Sequence, residues 1–344
     1  MTRRSKSHTW RKTWLQALCV LVLLLGLALF WALKPLSMRS DVVDLTIEPG
    51  TSVRGVAQAV ADSGIEVWPT GLWLLMRLSG QSRQLRAGSY ELMPGASAWD
   101  VVKKLIRGDQ SLKSITVIEG WTLAQMRRLV DQADGLKHDT LGLSDAQLMA
   151  KLGRPDTTAE GRFFPDTYNY GKGTSDLRLY QRALQAMDRQ LAKAWQGRAA
   201  GIELKSADQA LILASIIEKE TGQAKDRSMI SSVFHNRLRL GMPLQTDPTV
   251  IYGLGSQFDG NLRRKHLVTD HPWNTYTRSG LPPTPIALPG RAALRAAVTP
   301  AASQALYFVA RGDGSSQFSD DLAAHNAAVA RYQLHRAPPL GKAQ

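Results

Sequence analysis

The alternation of apolar and polar positions divides the chain into three regimes. The first is an unbroken apolar run from Trp14 to Leu33, WLQALCVLVLLLGLALFWAL, in which Gln16 is the only strongly polar residue. About 20 apolar helical residues cross a bilayer core, so the run predicts a spanning helix. The second regime is a repeated amphipathic unit: TIEPGTSVRGVAQAV from Thr46, ELMPGASAWDVVKKL from Glu91 and TVIEGWTLAQMRRLV from Thr116. Each copy has an extended stretch, a glycine (Gly50, Gly95, Gly120) and a hydroxyl two residues on (Ser52, Ser97, Thr122). Apolar residues follow six positions after the glycine (Val56, Val101, Met126) and ten after it (Val60, Leu105, Val130). That order predicts strand, tight turn, N-cap and amphipathic helix. Glycine permits the turn's positive φ, and the hydroxyl accepts from an N–H of the first helical turn. Thr122 and Gln125 have the spacing of a capping box. The glycines lie 45 and then 25 residues apart, a reused unit and not a solenoid period.

The third regime begins at Leu136 and is mostly helical to about Ala200. It is interrupted by EGRFFPDTYNYGKGTS at Glu160–Ser175, whose aromatic, Gly and Pro content predicts an ordered loop or short strands. A polar helix is predicted from about Ser175 to Gln196, and Ser206 opens the next, with Gln209 as its box partner. This second helix reads SADQALILASIIEKETG, and Leu211, Ile212, Leu213, Ala214, Ile216 and Ile217 occupy almost every helical angle. A helix apolar all round is a buried one. Strands occur in short hairpin-like pieces such as LYFVARGDGSSQFS at Leu306–Ser319, which predicts an α+β architecture without a long parallel sheet.

Composition narrows the classes. At 344 residues the chain holds about two domains. With 44% hydrophobic and 21% charged residues it is neither a disordered polymer nor a low-complexity chain. The single cysteine, Cys19, lies inside the apolar run and excludes a disulfide framework or a Cys-based zinc site. Seven histidines are present without an HExxH pattern, so neither metal nor cofactor is expected. Arg3, Arg4, Lys6, Arg11 and Lys12 precede the run with no acid among them. By the positive-inside rule the N-terminus stays in the cytoplasm and everything after Leu33 is exported. Trp14 and Trp31 stand near the two ends, as interfacial aromatics do. A cleaved signal peptide has a shorter apolar core and a small-x-small exit; here the exit reads LFWALKPLS, which favours an uncleaved anchor. The short N-terminus leaves no cytoplasmic domain to expect. The net charge of +14 calls for a polyanionic partner. Nucleic acid fits poorly, because the basic residues are scattered in short groups without an aromatic stacking series. An acidic wall polymer or a lipid surface fits better.

The chemistry concentrates at the C-terminal end of the buried helix, where Glu218 and Glu220 precede Thr221–Gly222. A carboxylate there lies near the helix's negative pole and beside apolar packing; both effects raise its pKa. That is how a carboxylic acid stays protonated near neutral pH, ready to donate to a leaving oxygen. Helical geometry does not choose between the two acids, and either could instead be solvated or paired with Lys219 or Arg227. Downstream, Asn236–Gly255 and His271–Gly290 are dense in polar and turn residues, including Gln245, Thr246, Asp247, Asn274, Thr275 and Tyr276. Such loops supply the amide, carboxylate and aromatic groups of a sugar groove, though turn formation alone accounts for many of these residues.

The combination EGRFFPDTY, LILASIIEKET, VFHNRLRLGMPLQTDPTVIYGLG, NTYTRSGLPPTPIALPG and LYFVARGDGSSQFS…HN resembles the MltG (YceG-like) endolytic murein transglycosylases of bacteria, over about Leu45 to Tyr332. The resemblance implies an inner-membrane, periplasm-facing enzyme that cuts nascent peptidoglycan glycan strands internally, with peptidoglycan synthases (penicillin-binding proteins) as further partners. It implies Glu218 as catalytic acid, with Glu220, Gln245, Asp247, Asn274, Thr275 and Tyr276 as substrate-binding candidates. The first two repeat copies resemble LysM-type β-α units, which bind glycans in that family; a plain packing role is the alternative. The implied layout is a cytoplasmic tail at 1–13, a transmembrane helix at 14–33, a LysM-like subdomain at 41–112, a catalytic domain at 113–335 and a flexible tail at 336–344. Two rival readings stay open: a two-carboxylate hydrolase pairing Glu218 with Asp247 or Asp166, and a wall-binding anchor without activity.

Overall fold

The computed structural model describes residues 6–39, 43–109 and 112–334. The first five residues of the expected N-terminal tail and the whole tail at 336–344 lie outside the described residues. The chain divides into two compact units. The first takes the described residues up to Lys113 together with Gly135–Lys137 and Asn169–Thr174. The second takes Ser114–Asp134, His138–Tyr168 and the described residues from Ser175 on.

In the first unit the elements run α1 (Lys6–Leu33), β1 (Ser37–Met38), β2 (Val43–Ile47), α2 (Val53–Asp62), β3 (Ile65–Glu66), α3 (Pro69–Leu78), β4 (Gly88–Leu92) and α4 (Ala98–Arg107). Strand β2 pairs antiparallel with β4, Leu45 opposite Tyr90, and β1 pairs antiparallel with β3. The predicted turns are present. Gly50 and Gly95 have φ of +85° and +89°, a conformation that costs an L-residue with a Cβ about 1–2 kcal/mol. Ser52 Oγ accepts from the Gly55 N–H at 3.1 Å, and Ser97 forms a full capping box with Asp100. The amphipathic faces this creates are buried: Val56, Ala57 and Val60 of α2, Leu72 and Met76 of α3, and Val101, Val102 and Leu105 of α4 close over Leu45 and Tyr90.

Helix α1 is long and apolar enough to cross a membrane between Trp14 and Leu33, and the side chains of that stretch are almost all exposed. Its last turn is different. Ala32 is buried, and the Trp31 ring meets Trp68 edge to face at 6.5 Å. Gly71 makes room for both indoles; a Cβ there would stand 2.5 Å from the Trp68 ring and 3.1 Å from Trp31.

The strands β5 (Leu112–Thr116) and β6 (Thr167–Gly171) pair with each other, and the boundary between the units falls within both. The second unit continues with α5 (Leu123–Asp131), α6 (Asp145–Lys151), α7 (Asp176–Gln196), α8 (Ala207–Glu220), α9 (Arg227–Arg239), α10 (Asp247–Leu254), α11 (Arg264–Val268), α12 (Arg291–Val298), the antiparallel hairpin β7 (Tyr307–Ala310) and β8 (Ser316–Ser319), and α13 (Leu322–Tyr332). The architecture is mixed α+β in short strands, as the spacing of apolar runs predicts. Helix α8 is the centre of this unit. Leu211, Leu213, Ala214, Ile216 and Ile217 are fully buried and pack with Met187 and Leu191 of α7, Ile230 and Phe234 of α9, and Ala293, Leu294 and Ala297 of α12. Each large aliphatic side chain so buried contributes about 1.5–3 kcal/mol. One predicted cap differs in detail. Ser206 Oγ accepts from the Gln209 N–H at 3.2 Å, but Gln209 Oε1 takes the N–H of Lys205 at 2.7 Å, one residue before the position a capping box requires.

Candidate active site

The burial of α8 fixes where its last turn points. Glu218, with 6% of its side chain exposed, is held between two backbone segments of the second unit. One is the turn Glu119–Trp121, the other the loop that ends at Gly290, the N-cap of α12. Two hydrogen bonds tie them together: Gly120 N–H to Leu288 O at 2.9 Å, and Leu288 N–H to Trp121 O at 2.7 Å. Gly290 donates its N–H to Glu218 Oε2 at 2.8 Å, and Arg227 reaches Oε1 at 3.5 Å. Burial raises the Glu218 pKa above the usual 4.5, and the neighbouring Glu119 adds to the rise; the Gly290 N–H and the Arg227 guanidinium oppose it. The carboxyl is thus poised between a proton-retaining environment and two groups that stabilise its anion, which suits a residue that must both give and take a proton.

Beside Glu218 opens a cleft of about 810 Å³ whose walls include Glu119, Asp166, Arg227, Arg291 and Arg295. Arg227 Nε, buried in that wall, has no hydrogen-bond partner. Gly290 leaves the Glu119 side chain its present place, and Gly120 permits a left-handed turn. A Cβ at 290 would fall inside the Glu119 carboxylate, and one at 120 would stand 3.8 Å from Glu218 Cγ on a backbone of φ +79°.

The six residues expected beside Glu218 form a separate network. Glu220 is two residues along the helix and faces another way, at about 100° per residue. It accepts a hydrogen bond from Thr246 Oγ1, and burial raises its pKa to about 7. Thr246 N–H is bonded to Thr275 Oγ1 at 3.1 Å, Gln245 N–H to Thr275 O at 3.0 Å, and Tyr276 donates to Asp247 Oδ1 at 2.5 Å. Among the described residues Gln245 is the one non-glycine with positive φ, +52°. It is held there by Arg237, which donates to Gln245 Oε1 and to the carbonyls of Pro243, Leu244 and Leu306 at 2.7–3.1 Å. Strained backbone of this kind persists only where surroundings over-determine it. Asn274 turns inward: its Nδ2 donates to the carbonyls of His266, Leu267 and Thr269, fastening the loop. Thr275 is equally buried, whereas Gln245 and Asp247 are exposed.

A second cleft, of about 740 Å³, is lined by Thr122, Gln125, Glu160, Lys219, Tyr252, His271 and Trp273 among others. Glu160, the first residue of the EGRFFPDTY motif, was not among the residues singled out from the sequence. Its carboxylate accepts from the Leu123 N–H at 3.0 Å and from Tyr252 OH at 3.3 Å, and burial raises its pKa to about 7. The signal that could have found it is an acid followed by the apolar pair Phe163–Phe164, which buries its surroundings. Among the described residues no group of three or more His, Cys, Asp or Glu is placed to hold a metal.

An α+β protein with one N-terminal apolar helix, and a buried glutamate at the tip of its core helix beside an open cleft, is the class the fold and site define. The chain belongs to the YceG-like family, whose sequence model matches residues 45–331. It is 31% identical over 318 residues to the endolytic murein transglycosylase of Bacillus subtilis, covering 87% of this chain and 88% of that protein. It is 30% identical over 284 residues to the protein of the same name from Streptococcus pneumoniae serotype 2, covering 72% of this chain and 51% of the pneumococcal protein. The crystal structure of a YceG-like protein from Listeria monocytogenes, 30% identical, superposes with a TM-score of 0.52 over 84% of this chain and 99% of that one.

Proposed function

We propose that the chain is a lytic transglycosylase that cuts peptidoglycan glycan strands internally, with Glu218 as its one catalytic acid and base. The observation that carries this reading is the setting of Glu218: a nearly buried carboxyl with a raised pKa, hydrogen-bonded by a backbone N–H and paired with Arg227, which lines an open cleft. The names of the relatives from Bacillus and Streptococcus support it.

In the first step protonated Glu218 donates to the glycosidic oxygen between N-acetylmuramic acid and N-acetylglucosamine, and the C1–O bond breaks. Arg227 and the Gly290 N–H then stabilise the carboxylate left behind. In the second step that carboxylate takes the proton of the muramyl C6 hydroxyl as O6 closes onto C1. The product is a 1,6-anhydro end; no water is consumed, and Glu218 recovers its proton. Gln245, Asp247 and Tyr276 are substrate-binding candidates on an exposed rim, and Glu220, Asn274 and Thr275 act by holding that rim in shape.

In this reading α1 anchors the protein in the inner membrane through residues 14–33, with residues 1–13 in the cytoplasm and the rest in the periplasm. The segment 41–112 is a LysM-like subdomain, and 113–335 is catalytic. Peptidoglycan synthases are its partners in the same layer. The test is the chemical form of new sugar ends when purified glycan strands are digested. Mass spectrometry is expected to find each new end one water lighter than a reducing end. Reducing ends would instead assign a hydrolase, which needs a second carboxylate flanking the bond. Of the two acids expected for that role, Asp166 lines the cleft beside Glu218, as does Glu119, whereas Asp247 is bonded to Tyr276 in the separate network.

A further inference from the structure

We infer that the second cleft of the same unit, walled by Tyr252 and Trp273, is a glycan-binding subsite in which sugar rings stack on a fixed aromatic platform. The inference rests on the glycan substrate proposed above and extends it to residues outside the Glu218 cleft.

The two clefts share their boundaries. The turn Glu119–Thr122 gives Glu119 to the first and Thr122 to the second. Helix α8 presents Glu218 beside the first, and the next residue, Lys219, lines the second, with its Nζ on Gly120 O at 3.3 Å. A polymer whose scissile bond sits at Glu218 therefore has the second cleft within reach of its neighbouring sugars. An internally cutting enzyme must hold sugars on both sides of the bond it breaks.

The second cleft has the make-up of a sugar site. Its volume, about 740 Å³, is within the range of ligand pockets. The Tyr252 and Trp273 rings lie 5.7 Å apart, and the His271 ring lies 5.3 Å from Trp273. Each ring is pinned by its polar end: Trp273 Nε1 donates to Thr284 Oγ1 at 2.9 Å, and Tyr252 OH donates to Glu160. Rings so fixed lose little freedom on binding. The C–H faces of a pyranose carry slight positive charge and pack on the negative face of an aromatic ring. Around the platform Gln125, Arg128 and Lys219 supply polar and cationic groups for acetamido and lactyl substituents. A hexosamine strand matches that combination; an apolar ligand would leave those groups unpaired.

The test uses the full chain in detergent, the Glu218→Gln variant to prevent turnover, and peptide-free glycan strands as probe, with binding measured by calorimetry. Trp273→Ala in that background is expected to weaken binding about tenfold or more. Because Trp273 also packs on the core, Ala124→Trp provides a second arm. Residue 124 is exposed on α5 and lines the same cleft, so an indole there obstructs it without disturbing the core. It is expected to weaken binding to a similar degree with an unchanged melting temperature. With Glu218 restored, both substitutions should raise KM by more than they lower kcat. Strand affinity within about twofold of the parent in both variants, while the wild-type chain still makes anhydro ends, would overturn the inference and leave the proposed activity standing. Binding lost in both variants while the wild-type chain makes no anhydro ends would do the reverse.

Discussion

At the residue scale, three glutamates of one unit are set to different tasks by their surroundings. Glu218 is bonded to Arg227, which lines an open cleft, and the rise of its pKa is opposed by an N–H and that guanidinium; Glu160 and Glu220 are held at about 7 chiefly by burial. The last two have a consequence for stability. Below the usual 4.5 both folded and unfolded chains carry the proton, so nothing is gained or lost. As pH rises from 4.5 towards 7 the unfolded chain ionises first, and stability falls across that window. Glu220→Gln removes part of this fall. Its urea midpoint should decline less than that of the wild type between about pH 5 and about pH 7.5; equal declines would mean that Glu220 ionises normally. The choice of Glu218 over Glu220 was not legible from helical geometry, since both acids have apolar neighbours on α8. What separates them is two distant glycines, Gly120 and Gly290, brought together by backbone pairing through Leu288. Asn274 teaches the same lesson in reverse: a polar residue in a promising loop proves to bond three backbone carbonyls.

At the scale of elements, local chemistry was readable wherever cap and period agreed. Ser52, Ser97 and Thr122 cap the helices they were expected to cap, and the all-round apolar α8 is buried. The pairing of β5 with β6 and the placing of α12 against α8 depend on contacts far apart in sequence, which no local period encodes. The junction between α8 and α12 is also where an element can be made to fail selectively. Gly290→Ala would put a methyl where the Glu119 carboxylate stands, forcing either that side chain or the N–H that holds Glu218 to move. A displacement of about 1 Å at a reacting group costs about 10²-fold in rate. Where the N–H moves, cleavage by Gly290→Ala should fall by about that factor in initial-rate assays; an unchanged rate would mean that Glu119 swings aside and the N–H stays in place.

At the scale of the whole molecule, the proposed anchor is one N-terminal apolar helix in a chain of two compact units. Since Trp31 and Ala32 pack into the first unit, the anchor is best removed ahead of them. A chain starting at Trp31 should stay folded by circular dichroism and leave the membrane fraction, in which the full chain should resist carbonate extraction. Continued sedimentation of the shortened chain with membranes would place the attachment elsewhere. The central claim, that a single carboxyl both breaks the strand and closes the anhydro ring, is tested most directly by digesting purified glycan with wild type and Glu218→Gln side by side. Mass spectrometry should find anhydro ends from the first and none from the second, at equal melting temperatures. Anhydro ends from Glu218→Gln at the wild-type rate would contradict it.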